Sequence, residues 1–128
     1  MTNILHINSS LFGEAGKSSQ MATEFVKALR SKLNDSTLVS RDLHANPLPH
    51  IDGQRFTAFV TPAENRNDAQ KAIVAESEVL INELRDADII VLGIPLYNLG
   101  VPSTFKAYID HVARAGETFR YTANGPEG

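Results

Sequence analysis

The 128-residue chain contains no cysteine. This absence excludes disulfides, thiolate zinc sites, iron–sulfur ligation and thiol catalysis, and it leaves the redox compartment open. An excess of either charge is also missing, because 12 basic and 15 acidic residues are interspersed and give a net charge of −3. No basic stripe therefore indicates nucleic acid or an anionic membrane as a partner.

Long apolar runs are absent as well. Nothing approaches the roughly 18 consecutive apolar residues of a membrane span. The N-terminal segment has neither the basic start nor the apolar length of a signal peptide. These features lead us to expect a cytoplasmic protein with no membrane partner. No histidine has carboxylates at the spacing of metal ligands, so we expect no metal.

The chain does contain three short apolar runs, each followed by a longer amphipathic stretch. The runs are residues 4–7, 37–43 and 89–93. This alternation predicts an α/β fold with a parallel sheet, because strand–helix repeats require right-handed crossovers. The third run is apolar at every position before Gly93, which indicates a central strand covered on both faces.

Amphipathic stretches between these runs predict the helices. Ser18 and Ser19 are N-cap candidates for the first helix. Its predicted apolar face consists of Met21, Ala22, Phe25, Val26, Leu29 and Leu33. Residues 50–60 indicate irregular structure or one helical turn, and the pattern of residues 61–64 predicts a capping box that opens the next helix. The last helix is expected to end near Gly116, with strand-and-turn structure after it.

Two loops follow strands of the predicted sheet at its carboxyl edge, where parallel sheets bind ligands. The first, residues 8–19, is small, hydroxylated and rich in glycine, and it ends at a helix N-terminus whose free N–H groups favour an anion. Ser10, Ser18 and Ser19 add hydroxyl donors, and Gly16 allows close approach of the backbone. A phosphate cradle fits this loop.

Other interpretations of the first loop stay open. Gly16-Lys17-Ser18 matches the end of a Walker A loop, but the first glycine of that motif is replaced by Leu11. The third strand also ends in Gly93 rather than in a magnesium-binding aspartate. A dinucleotide fingerprint is absent. A polar turn with an ordinary N-cap, in which Lys17 is solvated, remains compatible with the residues.

The second loop, residues 94–102, combines leucines, a tyrosine and an asparagine in Leu96–Leu99. Loops seldom hold such side chains together unless something planar or apolar covers them. Pro95 and Pro102 stiffen both ends of the loop, and Asn98 is suited to the polar edge of a flat heterocycle. Capping of the core or a dimer contact is an equally good explanation from the residues alone.

Four segments resemble the bacterial FMN-dependent NADH-azoreductases, which belong with the flavodoxin-like NAD(P)H:quinone oxidoreductases. These segments are Ser9-Ser10, Arg41-Asp42-Leu43 with Asn46-Pro47, Pro95-Leu96-Tyr97-Asn98, and residues 112–121. The resemblance implies a doubly wound parallel sheet in three α/β/α layers. It also implies a homodimer with FMN at the subunit interface. NADH or NADPH would reduce the flavin, and a quinone or azo compound would then take the hydride in ping-pong order.

The resemblance also implies roles for individual residues. Those that would hold the phosphate of FMN are Ser10, Gly16, Lys17 and Ser18. Those that would line the isoalloxazine are Leu96, Tyr97, Asn98 and Leu99. Tyr121 and Phe119 would belong to the aromatic wall of the substrate pocket. Because the flavin does the chemistry, no catalytic side chain is expected, and His111 and Asp110 are expected to be exposed or to face a dimer partner.

The chain also departs from the resemblance. A serine or threonine is common where this chain has Gly16, and an aromatic residue is common where it has Leu99. The family runs on for about half as many residues again, with two further strands, a glycine-rich flavin loop and a last helix. We therefore expect residues 1–128 to form one incomplete domain whose third strand has a bare edge. An FMN-binding electron carrier and an inactive fragment remain alternatives.

Overall fold

The computed structural model describes residues 1–128, and its centre is a parallel sheet of three strands. In chain order the strands are β1 (Thr2–Asn8), β2 (Ser36–Asp42) and β3 (Ile89–Gly93). Their spatial order is β2-β1-β3. The register pairs Asn8 with both Asp42 and Gly93, so that all three carboxyl ends meet at one edge. The predicted parallel α/β sheet is confirmed.

Four helices flank this sheet, and a small hairpin follows them. The helices are α1 (Lys17–Lys32), α2 (Gly53–Val60), α3 (Asp68–Asp86) and α4 (Ser103–Val112). The hairpin consists of the antiparallel strands β4 (Arg120–Thr122) and β5 (Gly125–Glu127), which confirms the predicted strand-and-turn tail. None of the helices combines the length and the apolar character that a membrane span requires.

Side chains of β1 are buried on both faces of the sheet because they alternate in direction along the strand. On one face Ile4 packs with Ala22 and Val26 of α1. On the other face Leu5 and Ile7 pack against α3 and α4, in a cluster completed by Leu43, Leu80, Phe105 and Tyr108. The three-layer α/β/α arrangement is thus confirmed, with β1 as its central strand.

The prediction that the third apolar run forms the central strand was wrong for this sheet. β3 lies at the edge, and only one of its neighbours is a strand. Val91 is buried under α1, but Ile90 and Leu92, on the opposite face, are 44% and 46% exposed. The apolar sequence of β3 predicts that its side chains favour burial, but they are buried only on the face that a helix covers. The bare edge expected for the third strand is observed.

The start of α1 differs from the prediction. Gly16 is the N-cap residue, so that Ser18 and Ser19 lie inside the first turn rather than capping it. A short 3-10 turn over Gly13–Ala15 has already reversed the chain, and the N–H of Gly16 closes it by donating to Gly13. The apolar face of α1 is also narrower than predicted, because Met21 and Phe25 are exposed while their neighbours pack on the sheet.

The region before α3 differs more strongly. Residues 53–60 form a helix of 8 residues, capped by the Asp52 carboxylate, which accepts a hydrogen bond from the N–H of Arg55. Thr61 is not an N-cap, because its hydroxyl donates to the Thr57 carbonyl and closes α2 instead. The next helix begins at Asp68, with a capping box formed by Asn67 and Gln70. The predicted capping box at residues 61–64 was therefore wrong.

α4 ends at Val112, earlier than the predicted end near Gly116. His111, expected to be exposed or dimer-facing, is fully buried. Its Nδ1 lies 2.7 Å from the Ala107 carbonyl oxygen, and its own carbonyl accepts a hydrogen bond from the hydroxyl of Ser77 on α3. Asp110 does lie at the surface, where it pairs with Lys106 one turn earlier.

Candidate functional site

Two loops lie side by side at the carboxyl edge of the sheet, because they follow the neighbouring strands β1 and β3. We call residues 9–16 the first loop and residues 94–101 the second loop. Both the N–H and the hydroxyl of Ser9 donate to the Gly93 carbonyl at 3.1 Å. Further out, the N–H of Leu11 donates to the hydroxyl oxygen of Tyr97 at 3.1 Å. The structure therefore joins the two predicted loops into one site.

The first loop ends at a helix start that has no side-chain cap. Gly16 is the N-cap residue, and the first turn of α1 contains no acidic side chain. The first N–H groups of a helix have no partner within the helix. The helix dipole also places partial positive charge there. This helix start is therefore suited to an external anion.

Buried hydroxyl groups at this helix start support the same conclusion. The hydroxyls of Ser18 and Ser19 are buried and have no hydrogen-bond partner. Ser10 is 1% exposed, and its Oγ accepts a hydrogen bond from the N–H of Phe12. Because buried polar atoms are almost always paired, these two hydroxyls are suited to donate hydrogen bonds to a polar ligand at the helix start.

Gly16 brings the helix start into close contact with the first loop. A Cβ at this position would lie 2.0 Å from the Oγ of Ser10, which no real pair of atoms tolerates. Ser10 and Gly16, two of the residues expected to hold a phosphate, are therefore in direct contact. Lys17, the first residue of α1, is exposed beside them.

The second loop is a tight turn with apolar side chains on its outside. Tyr97 and Gly100 exchange two backbone hydrogen bonds of 2.9 Å. Between them Asn98 and Leu99 have φ values of 50° and 62°, the left-handed pair that defines a type I′ turn. Leu99 is 93% exposed and Leu96 70% exposed. A left-handed leucine is strained, and such strain often occurs at ligand sites.

Neither a hydrogen bond nor a ring contact joins Phe119 or Tyr121 to these two loops. Their rings meet edge to face, with centroids 5.2 Å apart, and Tyr121 is 74% exposed. The segment is anchored to the helices, since Arg85 binds Glu117 and the Thr118 hydroxyl donates to the Val112 carbonyl. None of the hydrogen bonds of residues 113–128 runs to either loop. The structure of the single chain thus does not bring the aromatic pair into the two-loop site.

Residues at the ends of β1 and β3 support the site in ways that the sequence did not predict. Ser9 joins the first loop to Gly93 at the end of β3, and a Cβ on Gly93 would lie 2.3 Å from Oδ1 of Asn8. The glycine that ends an otherwise apolar strand was the signal for this close packing. Oδ1 of Asn8 also lies 3.2 Å from Nε2 of His6 in the same strand. Burial lowers the pKa of His6, and the hydrogen bond to Asn8 opposes part of that shift.

A groove of about 680 Å³ lies between α1 and β2, and no residue of the second loop lines it. Its charged lining residues have both signs, including Lys27 and Arg30 opposite Asp35 and Asp42. No buried polar atom without a partner lies among its lining residues. This groove therefore lacks the unpartnered buried hydroxyls that are found at the two-loop site.

The strand order β2-β1-β3, with a loop after β1 that ends at an uncapped helix start, defines a flavodoxin-like α/β protein. Proteins of this class bind mononucleotides at the carboxyl ends of β1 and β3. Residues 2–128 match the family model described as flavodoxin-like fold, and the chain belongs to this family.

Relatives of the chain are named as flavoenzymes. It is 54% identical over 126 residues to an FMN-dependent NADH:quinone oxidoreductase of Alcanivorax borkumensis, a match that covers 98% of this chain and 64% of the relative. A protein of the same name from Cellvibrio japonicus is 51% identical over 128 residues, covering 100% of this chain and 64% of the relative. The chain thus spans slightly less than two thirds of the length of these relatives.

Solved structures show the same fold. The azoreductase of Bacillus anthracis str. Sterne superposes with a TM-score of 0.87 at 28% identity, covering 100% of this chain and 63% of that protein. An FMN-dependent NADH-azoreductase from Bacillus anthracis str. Ames Ancestor, solved in complex with FMN, has the same TM-score at 23% identity and equal coverage. At that lower identity the second likeness supports the fold alone.

Proposed function

We propose that the chain is the N-terminal part of an FMN-dependent NAD(P)H oxidoreductase that reduces quinones and azo compounds. The observation that carries the proposal is the uncapped start of α1, where the buried Ser18 hydroxyl lacks a partner, at the end of a loop that is hydrogen-bonded to the second loop. Relatives about half identical to this chain, named as FMN-dependent NADH:quinone oxidoreductases, support the same function.

The first loop fits the phosphate of FMN. The free N–H groups of the first turn and the hydroxyls of Ser10 and Ser18 would donate to its oxygens, as charge-assisted hydrogen bonds that are stronger than neutral ones. Lys17 would add a positive charge at the rim. Gly16 would have the same role as the glycines of other phosphate loops, since a residue without a side chain lets the backbone approach the ligand closely.

The second loop fits the edge and one face of the isoalloxazine. Leu96 and Leu99 would lose exposed apolar surface against a planar ring, which offsets the cost of the left-handed turn. Asn98 would hydrogen-bond the polar edge, and Tyr97 would line the pocket beside it. When bound, FMN supplies hydride transfer, from NADH or NADPH first and to a quinone or azo acceptor afterwards in ping-pong order. The protein side chains supply position and exclude water.

Two further features belong to the same proposal. Residues 1–128 would be an incomplete flavodoxin-like domain, with the rest of the ring pocket in the additional length that the relatives have. Phe119 and Tyr121 would form the substrate wall in the site of a second subunit of a homodimer, since their segment is hydrogen-bonded to α3 and α4 and not to the two loops of its own chain. A cytoplasmic location would give the enzyme access to NADH.

Visible spectroscopy tests this proposal. The chain is mixed with FMN, freed of unbound flavin, and its absorption is recorded before and after anaerobic addition of NADH. Retained flavin bands that bleach with NADH and recover with a quinone would support the reductase. Bands that NADH leaves unchanged would support an electron carrier instead, and a colourless protein would leave an inactive fragment.

A pair of serine variants in α1 tests the phosphate half. Ser18→Ala removes the unpartnered hydroxyl, and we expect the FMN dissociation constant to rise about tenfold, as for a hydrogen bond to a charged group. Ser31→Ala, near the other end of the same helix, removes a hydroxyl that bonds only the local Ala28 carbonyl. It should leave FMN affinity unchanged, and equal effects of both variants would contradict the assignment.

A further inference from the structure

The two loops lie far apart in the sequence, and side-chain hydroxyls fix the first loop to the second loop and to the end of β3. Leu11 and Tyr97, linked by a hydrogen bond, are 86 positions apart. Ser9 bonds Gly93 over a separation of 84 positions. The remaining hydrogen bonds of residues 10–16 are internal to the first loop or run to α1. The Tyr97 hydroxyl is therefore the group that fixes the outer part of the first loop to the second loop.

Tyr97 is suited to hold this loop because its own position is fixed. Its N–H and carbonyl are both bonded to Gly100 across a turn of only two residues. Leu11, by contrast, has an exposed side chain that does not anchor it in the core. Tyr97 is thus held more firmly than Leu11, and we therefore expect Tyr97 to position Leu11 and not the reverse.

We propose that Tyr97, assisted by Ser9, is a positioning residue that sets the first loop for the phosphate of the ligand. This inference rests on the proposed function, because it gives the ring-side loop a role in holding the phosphate. It predicts that loss of the Tyr97 hydroxyl weakens a ligand through its phosphate, although Tyr97 itself lies in the loop that lines the ring.

Comparison of FMN with riboflavin, which lacks the phosphate, separates positioning from direct contact with the ring. In Tyr97→Phe we expect the dissociation constant of FMN to rise about fivefold, the effect of one neutral hydrogen bond. The constant for riboflavin should stay within about twofold of its wild-type value. A hydroxyl that touched the ring would weaken both flavins by the same factor, and that result would overturn the inference.

Amide hydrogen exchange provides a second measurement that needs no flavin. Tyr97→Phe should speed the exchange of the Leu11 N–H about fivefold or more, since the bond that protects it is lost. The matched control is Tyr108→Phe, because the Tyr108 hydroxyl is buried and forms no hydrogen bond to either loop. This control should leave the exchange of Leu11 and the affinity for FMN unchanged.

The outcomes distinguish this inference from the proposed function. If the wild-type chain binds neither flavin, the proposed function fails for this chain, and the exchange rate of Leu11 alone decides the positioning role. Unchanged exchange in Tyr97→Phe would overturn it. If Tyr97→Phe does not fold, Ser9→Ala takes its place. This variant removes the bond from the Ser9 hydroxyl to the Gly93 carbonyl and keeps the backbone bond between the same two residues. Unchanged exchange at Leu11 in that variant would also overturn the inference.

Discussion

A Cβ atom built on Gly16 would lie 2.0 Å from the Oγ of Ser10 and 2.6 Å from its Cβ. Ser10 therefore occupies the space that a side chain at position 16 would need. The family resemblance leads us to expect a serine or threonine at position 16. In this chain the hydroxyl of Ser10, pressed against the start of α1, takes up that space instead.

Gly16→Ala should weaken FMN binding by about tenfold or more, because the first loop must shift to relieve a clash that involves a Cβ atom and not only a mobile hydroxyl. Flavin fluorescence quenching measures the affinity. Gly53→Ala is the matched control, since a Cβ at the start of α2 would meet nothing within 4 Å. Wild-type affinity in Gly16→Ala would show that the loop yields freely, contrary to this expectation.

Leu99→Gly should make the chain more stable and bind flavin less well. Removal of the side chain relieves a left-handed conformation that costs a non-glycine residue about 1 kcal/mol, while it deletes apolar surface offered to the ring. Urea denaturation and FMN titration measure the two effects separately. Leu96→Gly, in the same loop but without a positive φ, should destabilise the chain. Equal stability changes in both variants would refute the strain argument.

Acid should destabilise the chain partly through His6. Burial lowers the pKa of His6 below its ordinary value of 6.5, so that the unfolded chain binds the proton more readily than the folded one. The stability that His6 contributes is therefore present above pH 6.5 and declines as the pH falls below 6.5 and through the lowered pKa of the folded state.

His6→Gln should lose less stability than the wild type over this range, as measured by thermal unfolding at a series of pH values. Exposed His44, changed to glutamine, is the control. Parallel pH profiles for the wild type and His6→Gln would exclude His6 as the source of the acid sensitivity.

Ser77→Ala should destabilise the chain by about 2 kcal/mol. The Ser77 hydroxyl donates to the His111 carbonyl and accepts from Nη1 of Arg114, a buried guanidinium that also lies 5.0 Å from the centre of the Phe59 ring. Nε of Arg114 already lacks a partner, so the variant leaves a buried charge with still fewer hydrogen bonds. Chemical denaturation measures the change, and a loss no larger than that of Ser31→Ala would contradict it.

The sequence predicted both loops of the site because local chemistry marks them. Small hydroxylated residues before a helix, and apolar residues enclosed by Pro95 and Pro102, are visible without any knowledge of distant contacts. The contact between Leu11 and Tyr97 was not visible, since it depends on which strands are neighbours and on the direction of one side chain. The burial of His111 escaped prediction for the same reason, because α3 covers that face of α4.

The sequence by itself determined the order of the three parallel strands and of the helices α1, α3 and α4, since hydrophobic period and turn residues act over a few neighbouring positions. It also determined that the first loop offers hydroxyls and a helix start rather than a metal-binding or thiol group. Only the tertiary structure decided that Gly16, and not Ser18 or Ser19, caps α1, and that β3 is an edge rather than the centre. Caps and edges depend on what else packs nearby, and that information is spread over residues far apart in the chain.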